Sequence, residues 1–375
     1  MKPFRVLIVD DSTPIRTMLS GILSEESDIE VVGTAGSGAV ALAKLAQLNP
    51  TVVTLDVEMP DMSGLDILAE IRKVAPRLPV IMFSSLTVKA GATTLEALAR
   101  GASDYVTKPP PGGTLPSSIE HVRTQLLPRI RGLGPRQLPA LVPLKDTPSK
   151  GAMLAAMPVG QMGPPTGMAA IPGLRPDILA IGSSTGGPNA LAELFGALNA
   201  PLPVPIVLVQ HMPPLFTRLL AERLAATSPV KFREAQHGDV LKPGDALIAP
   251  GDYHMRLERG NGRINVVLDQ AAPENSCRPA VDVLFRSVAQ AYGSRAMALV
   301  LTGMGQDGLL GCQDIRARGG QIVVQDEATS VVWGMPGFVA KAGLAHATLP
   351  LPHIAAELRR RFGQMTVGSE VKHAG

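Results

Sequence analysis

The feature that most restricts the fold is a recurring one: short apolar runs rich in β-branched residues, each halting at a polar residue and followed by helical spacing. Phe4-Arg-Val-Leu-Ile-Val9 stops at Asp10 and Asp11, and Pro14 to Leu23 then reads as a helix. Ile29 to Ala35 reads as a strand, Gly38 to Gln47 as a helix, and Thr51 to Leu55 as a strand that stops at Asp56. Beyond the loop Glu58 to Gly64 come a helix over Leu65 to Val74, a strand over Val80 to Phe83 ending at Ser84, and a helix over Thr93 to Arg100. Tyr105 and Val106 form the last run, with Lys108 just after it. Such alternation predicts an open parallel α/β sheet wound on both faces, with its site off the carboxyl ends of the strands.

Every polar residue named above falls at that edge. Asp10, Asp11 and Asp56 converge there as three carboxylates, which calls for a hard cation, and Mg²⁺ prefers such oxygen ligands. Ser84 and Lys108 add a hydroxyl and a fixed positive charge suited to phosphoryl oxygens. One such acid alone reads as a solvated loop residue or helix cap; five suitable residues gathered at strand ends argue otherwise. Residues 4 to 127 resemble a response-regulator receiver domain. The resemblance implies that Asp56 accepts a phosphoryl group from a histidine kinase, that Asp10 and Asp11 help it hold Mg²⁺, and that Ser84, Tyr105 and Lys108 transmit the change.

The periodicity then disappears. The stretch 132–174 contains eight Pro and seven Gly with few charges, and Met at 153, 157, 162 and 168. It reads as an extended, semi-stiff linker unable to bury a core of its own. The expected organisation is a receiver over 1–131, the linker over 132–174, a second domain over 175–365 and a tail over 366–375.

The second domain opens on Asp177-Ile-Leu-Ala-Ile-Gly-Ser-Ser-Thr-Gly-Gly-Pro188, an apolar run that breaks at Gly182 into small and hydroxylated residues before a helical stretch. Strand, tight turn and helix would set Ser184 at a helix N-terminus, where free backbone N–H groups favour negative charge. Gly182 to Gly186 fits the G-x-S-x-G elbow. A Gly-rich turn that holds phosphate, or merely closes the connection, fits the same residues. Pro205 to Gln210 is a second β-rich run ending at His211. Met297 to Leu301 is a third, leading to Thr302-Gly-Met-Gly-Gln-Asp-Gly308. Shorter strands over His254 to Glu258 and Arg263 to Leu268 flank a Gly-Asn-Gly hairpin turn. Ser184, His211 and Asp307 thus follow three strands of one mostly parallel sheet, and they are the hydroxyl, imidazole and carboxylate that nucleophilic acyl transfer requires. His237 and His254 are rival bases in more polar surroundings. Cys277 and Cys312 lack metal-ligand spacing and a neighbouring base, and read as buried or incidental thiols.

Residues 176 to about 365 resemble the catalytic domain of the chemotaxis protein-glutamate methylesterases, the CheB family. The resemblance rests on Gly182-Ser-Ser-Thr-Gly-Gly187, Gln210-His-Met-Pro213, Arg278-Pro-Ala-Val-Asp-Val-Leu-Phe285, Leu301-Thr-Gly-Met-Gly-Gln-Asp-Gly308 and Val332-Trp-Gly-Met-Pro336. Gln306 stands where the family often has Asn, and the long linker is a second departure. The resemblance implies a phosphorylation-activated hydrolase of glutamate γ-methyl esters on chemoreceptors, with Ser184 as nucleophile, His211 as base and Asp307 as its orienting acid. Backbone amides near Thr185 and Met304 would stabilise the oxyanion, and receptor glutamines would be deamidated by the same route. No cofactor is expected at the esterase site.

The totals narrow the alternatives. A net charge of +3 over 375 residues, with no basic stripe, argues against nucleic acid as a partner. Two cysteines build no disulfide framework, and no apolar run nears the roughly 20 residues of a membrane span, so a cytoplasmic protein without membrane insertion is expected. The competing reading is a non-catalytic, phospho-regulated docking protein of a chemosensory pathway.

Overall fold

The computed structural model describes residues 4–109, 112, 114–134 and 175–363. The first α/β unit runs β1 (Phe4–Val9), α1 (Thr13–Ser24), β2 (Ile29–Ala35), α2 (Gly38–Leu48), β3 (Val52–Asp56), α3 (Gly64–Val74), β4 (Val80–Ser84), α4 (Val88–Ala99), β5 (Asp104–Thr107) and α5 (Leu115–Gly132). Its five strands are all parallel in the order β2-β1-β3-β4-β5. The pleat of period two sorts β1 between two layers: Val6 and Ile8 pack with Leu19, Ile22, Val122 and Leu126, whereas Leu7 and Val9 pack with Ala41, Ile67 and Leu68.

Helix α4 starts at Val88 rather than Thr93. The Thr87 side chain caps it by accepting from the Ala90 amide at 3.1 Å, and Gly91, which breaks the helical pattern in the sequence, is where Leu219 and Leu215 approach. Helix α5 carries through Gly132, the residue at which the linker was expected to begin, and Leu133 beyond it is buried in the layer that holds Phe4. The rest of the expected linker, 135–174, and the tail 366–375 lie outside the described residues.

The second unit runs β6 (Ile178–Ser183), α6 (Gly187–Gly196), β7 (Ile206–Gln210), α7 (Pro214–Thr227), β8 (Phe232–Glu234), β9 (Ala246–Ile248), β10 (His254–Gly260), β11 (Arg263–Asp269) and α8 (Val281–Tyr292). It continues through β12 (Ala296–Val300), α9 (Leu309–Ala317), β13 (Gln321–Gln325), α10 (Met335–Lys341), β14 (Ala347–Leu349) and α11 (Leu351–Phe362). Seven strands form one parallel sheet, β14-β13-β12-β6-β7-β9-β8, and β10-β11 is a separate antiparallel hairpin turning through Asn261 and Gly262 at positive φ. Along β6, Ile178 and Ala180 face α8, α9 and α10, while Leu179 and Ile181 face α6, α7 and α11. The strand order reverses direction around β6, between β7 and β12, and there the first βα turns on either side leave a crevice at the carboxyl edge.

The two units share one core cluster. Tyr105 of β5 stacks on Phe216 of α7 with ring centroids 4.6 Å apart, and Val332 with Met304 packs into the layer closed by α5.

Among the described glycines, the least room for a side chain is at Gly187, beneath the β6–α6 turn. A Cβ at Gly187 would sit 2.0 Å from Gln210 Oε1, whereas one at Gly196, at the far end of the same helix, meets nothing closer than 3.8 Å. Gly187→Ala is therefore expected to lower the denaturant unfolding free energy by roughly 1–3 kcal/mol. Gly196→Ala is expected to be neutral or stabilising by up to about 1 kcal/mol; equal effects of the two changes would contradict this packing.

Candidate active site

At the carboxyl edge of the first sheet, burial decides the chemistry. Asp10 and Asp56 are each 1 % exposed, and Asp11 is exposed at the rim. Lys108 Nζ lies 2.7 Å from Asp56 Oδ2 and 3.2 Å from Asp10 Oδ2. Desolvation pushes the Asp56 carboxyl up to about 6; the hydrogen bond from Lys108 opposes this and the charge of Asp10 adds to it. Desolvation also raises Asp10, with Lys108 opposing. Asp10 Oδ2 is buried with Lys108 as its ion-pair partner, and carboxylate oxygens of Asp10, Asp11 and Asp56 come within 4.8 Å of one another. Three converging carboxylates with only one lysine between them form an all-oxygen donor set that fits a hard divalent cation. The predicted cluster is thus brought together. Ser84 is buried beside it, its Oγ accepting from Thr94 Oγ1 at 2.7 Å, while Tyr105 points the other way, into Phe216.

In the second unit, Ser184 follows β6 by one residue and His211 follows β7 by one. The neighbouring strands are in register there, Ser183 pairing with Gln210. The turn is pinned from both sides. The Ser184 amide donates to Thr302 O at 3.1 Å, its carbonyl accepts from Gly187 N at 2.8 Å and from Gln210 Nε2 at 2.9 Å, and Gly186 takes φ +78° as the helix cap. Gln210 and Thr302 are buried struts; the sequence carried them only as members of the motifs Gln210 to Pro213 and Leu301 to Gly308, with no role given to either.

His211 Nε2 lies 2.8 Å from Asp307 Oδ2, and their side chains are 13 % and 2 % exposed. The same Asp307 oxygen accepts from the Val281 amide at 2.7 Å, and Oδ1 accepts from Asp282 N at 2.9 Å and Asn275 Nδ2 at 3.1 Å. Asp307 is therefore seated on the N-terminus of α8, where the helix dipole favours its charge. Desolvation alone would raise its pKa, yet the hydrogen bond and charge of His211 and the two amides bring the net direction down. Desolvation depresses the His211 imidazole, and Cys277 and Asp307 outweigh it to give a net rise. The Cys277 share of that rise requires a thiolate; with a neutral thiol, Asp307 alone opposes desolvation.

With Nε2 facing Asp307, Nδ1 is the nitrogen that faces the crevice. Cys277 Sγ lies 3.6 Å from it, so the expectation that neither thiol has a base beside it fails for Cys277, which reaches His211 across 66 residues of chain. Cys312 is fully buried, as expected. Among the described residues no hydrogen bond joins Ser184 Oγ to His211, and the amides of Thr185 and Met304 have no hydrogen-bonded acceptor, which leaves both free to donate. The rival bases serve the hairpin: His254 sits between Ala272 O and the Ala280 amide, and His237 against the Leu268 backbone.

The first unit docks beside this crevice. Thr185 Oγ1 donates to Asp104 Oδ2 at 2.7 Å, and Asp104 also accepts from Arg129 Nε at 3.0 Å. Asn189 Nδ2 donates to Leu98 O at 2.5 Å and Arg223 Nη1 to Leu95 O at 3.1 Å.

The family description "CheB methylesterase" matches residues 179–358, and "Response regulator receiver domain" matches residues 6–120. A relative from Trichodesmium erythraeum named protein-glutamate methylesterase/protein-glutamine glutaminase is 50% identical over 363 residues, 97% of this chain and 100% of that protein. This chain belongs to the CheB methylesterase family. A Nocardioides relative of the same name is 49% identical, with 97% of each chain covered. Among solved structures, the Thermotoga maritima CheB methylesterase catalytic domain is 43% identical, covering 50% of this chain and 99% of its own, with a TM-score of 0.48. Among the described residues of this CheB-family chain no helix is long and apolar enough to cross a membrane.

The raised Asp56 carboxyl yields a pH-dependent stability effect. A carboxyl whose folded pKa lies above its unfolded value destabilises the fold wherever it is ionised in both states, and the penalty fades as pH falls from about 6 toward the unfolded value. In Mg²⁺-free buffer at pH 7, Asp56→Asn is expected to stabilise by on the order of 1–3 kcal/mol. The gain should shrink below pH 5; a destabilised variant at pH 7 in thermal unfolding would contradict the assignment.

Proposed function

We propose that this chain hydrolyses glutamate γ-methyl esters on the helices of chemoreceptors, releasing methanol, and deamidates receptor glutamines by the same acyl-enzyme route. The observation that carries the reading is the buried His211 to Asp307 hydrogen bond of 2.8 Å, set one strand away from Ser184. Ser184 Oγ attacks the ester carbonyl while His211 Nδ1 takes its proton, and Asp307 holds the Nε2–H so that Nδ1 keeps its lone pair. The contact between Ser184 and His211 tightens when substrate is bound, as catalytic hydrogen bonds commonly do. The free amides of Thr185 and Met304 receive the oxyanion. Collapse of the tetrahedral species breaks the C–O bond, and His211 returns its proton to the departing methanol. Water then repeats the sequence to free the glutamate; for glutamine only the leaving group differs, ammonia replacing methanol.

Control runs through the receiver. Asp56 accepts the phosphoryl group from a chemotaxis histidine kinase; Asp10, Asp11 and Asp56 would hold the Mg²⁺, which would supply charge neutralisation to the phosphoryl oxygens. Ser84 and Lys108 meet the phosphoryl oxygens, and Tyr105, on β5 beside Asp104, passes the change to the interface. While unphosphorylated, the receiver keeps Asp104 on Thr185 and Tyr105 on Phe216, closing the approach to Ser184. A preference of the phosphorylated receiver for the undocked arrangement by a few kcal/mol suffices to open it.

Methanol release from methylated receptor membranes tests both halves. Wild type should speed up with a small-molecule phosphodonor and Mg²⁺, and Ser184→Ala should lose at least about 10³-fold under either condition. Tyr105→Ala removes an aromatic stack and should raise the unphosphorylated rate by about 2–10-fold. No release from wild type with Asp56 phosphorylated would leave a non-catalytic docking protein in place of the esterase.

A further inference from the structure

His211, Cys277 and Asp307 place nitrogen, sulfur and oxygen donors within 4.8 Å of one another. Their arrangement is specific. In a tetrahedral site with metal–nitrogen bonds of about 2.05 Å and metal–sulfur bonds of about 2.3 Å, the two donor atoms are separated by about 3.6 Å. Cys277 Sγ and His211 Nδ1 are 3.6 Å apart. That spacing suits a hydrogen bond between thiol and imidazole, and it also matches the bite of a bound ion.

The surroundings prepare the nitrogen as well. A metal-binding histidine commonly donates its other ring N–H to a carboxylate, which fixes the tautomer and strengthens the free nitrogen as a donor. Asp307 does this to Nε2, and it is itself locked by two backbone amides and Asn275. Asp307 is thus an outer partner of the ion and not a ligand, since it lies on the opposite edge of the ring. Cys277 is half-buried, and a backbone bend through Asn275 and Ser276, both at positive φ, carries it to the crevice. Mixed N and S donors favour Zn²⁺ over the hard cations that suit the carboxylates of the receiver.

We propose that His211 Nδ1 and Cys277 Sγ form an inhibitory site for Zn²⁺, with water or Ser184 Oγ completing the coordination. On binding, the Cys277 thiol releases its proton to solvent and sulfur donates as thiolate; Nδ1 donates its lone pair; Nε2 keeps its proton on Asp307. The imidazole then has no lone pair left to take the Ser184 proton. Binding rests on geometry alone, whereas inhibition rests on His211 acting as the base. The site makes esterase output sensitive to the free zinc level, independently of the phosphorylation state of Asp56.

The test uses the full chain in excess Mg²⁺, so that the receiver carboxylates are occupied. Co²⁺ is the spectroscopic probe, because only a sulfur ligand gives a thiolate-to-cobalt charge-transfer band in the near ultraviolet. The band is expected in wild type and absent in Cys277→Ser and Cys277→Ala, each of which still carries Cys312. Zn²⁺ should inhibit methanol release by wild type, and either variant should need at least about tenfold more of it, since a direct ligand has been removed. Lack of a band in wild type, or equal zinc sensitivity in all three proteins, would overturn the proposal. Metal-free His211→Ala separates the two readings: if it keeps full esterase activity, the base assignment fails, while the cobalt band still decides the metal site.

Discussion

The seating of Asp307 on the first turn of α8 is the constraint on which the crevice depends. Four hydrogen bonds, from His211, Val281, Asp282 and Asn275, hold a carboxylate that is 2 % exposed. Without them burial would drive the group toward its neutral acid, which could not orient an imidazole in the same way. With them Asp307 stays ionised and dictates which nitrogen of His211 is left to face Cys277. A second buried acid supports the first. Asp282 accepts from the Gly311 amide at 2.7 Å and shares Asn275 Nδ2 with Asp307, so α8 and α9 are tied together beneath the crevice. Desolvation raises the pKa of Asp282, with the Gly311 amide opposing and the charge of Asp307 adding to the rise.

The same edge of the sheet that assembles these groups also receives the receiver. Thr185 has two duties in this account: its amide is a free donor next to Ser184, and its hydroxyl is held by Asp104 of the other unit. A small displacement of β5 therefore reaches the residue adjoining Ser184 through one hydrogen bond. Burial makes that bond consequential, since Thr185 is 4 % exposed and Asp104 6 %, and a buried polar group that loses its partner costs about 1–3 kcal/mol. Under the proposed control, phosphorylation needs to supply little more than that to shift the balance between docked and undocked arrangements.

Much of this was legible in the sequence because it is local. Strand ends declare themselves where an apolar run meets Asp10, Asp56, Ser184 or His211, and a parallel sheet gathers such ends on one edge. The hairpin turn at Asn261 and Gly262 follows from residue type alone. What failed to show was set by contacts between distant segments. Helix α4 begins at the Thr87 cap, but its first turn includes Gly91, whose role is to let Leu219 of the other unit approach. Strands β8 and β14 have three residues each and exist through pairing with β9 and β13, too short to signal a period. Cys277 lies 66 residues from His211 and Asp104 81 from Thr185, and no spacing rule connects either pair. The buried amide of Gln210 belongs to the same class: it accepts from the Ser183 hydroxyl and donates to the Ser184 carbonyl, groups that meet it only once β6 and β7 are side by side.

The central claim is that Ser184 is a nucleophile whose exposure is governed by phosphorylation of Asp56. Its most direct measurement is the rate and position of labelling by a fluorophosphonate that traps activated serines, followed by intact and peptide mass spectrometry with and without phosphodonor and Mg²⁺. The account predicts one adduct, on Ser184, forming faster once Asp56 is phosphorylated. An adduct on another residue, or a Ser184 labelling rate that ignores the phosphodonor while Asp56 is demonstrably phosphorylated, would contradict it.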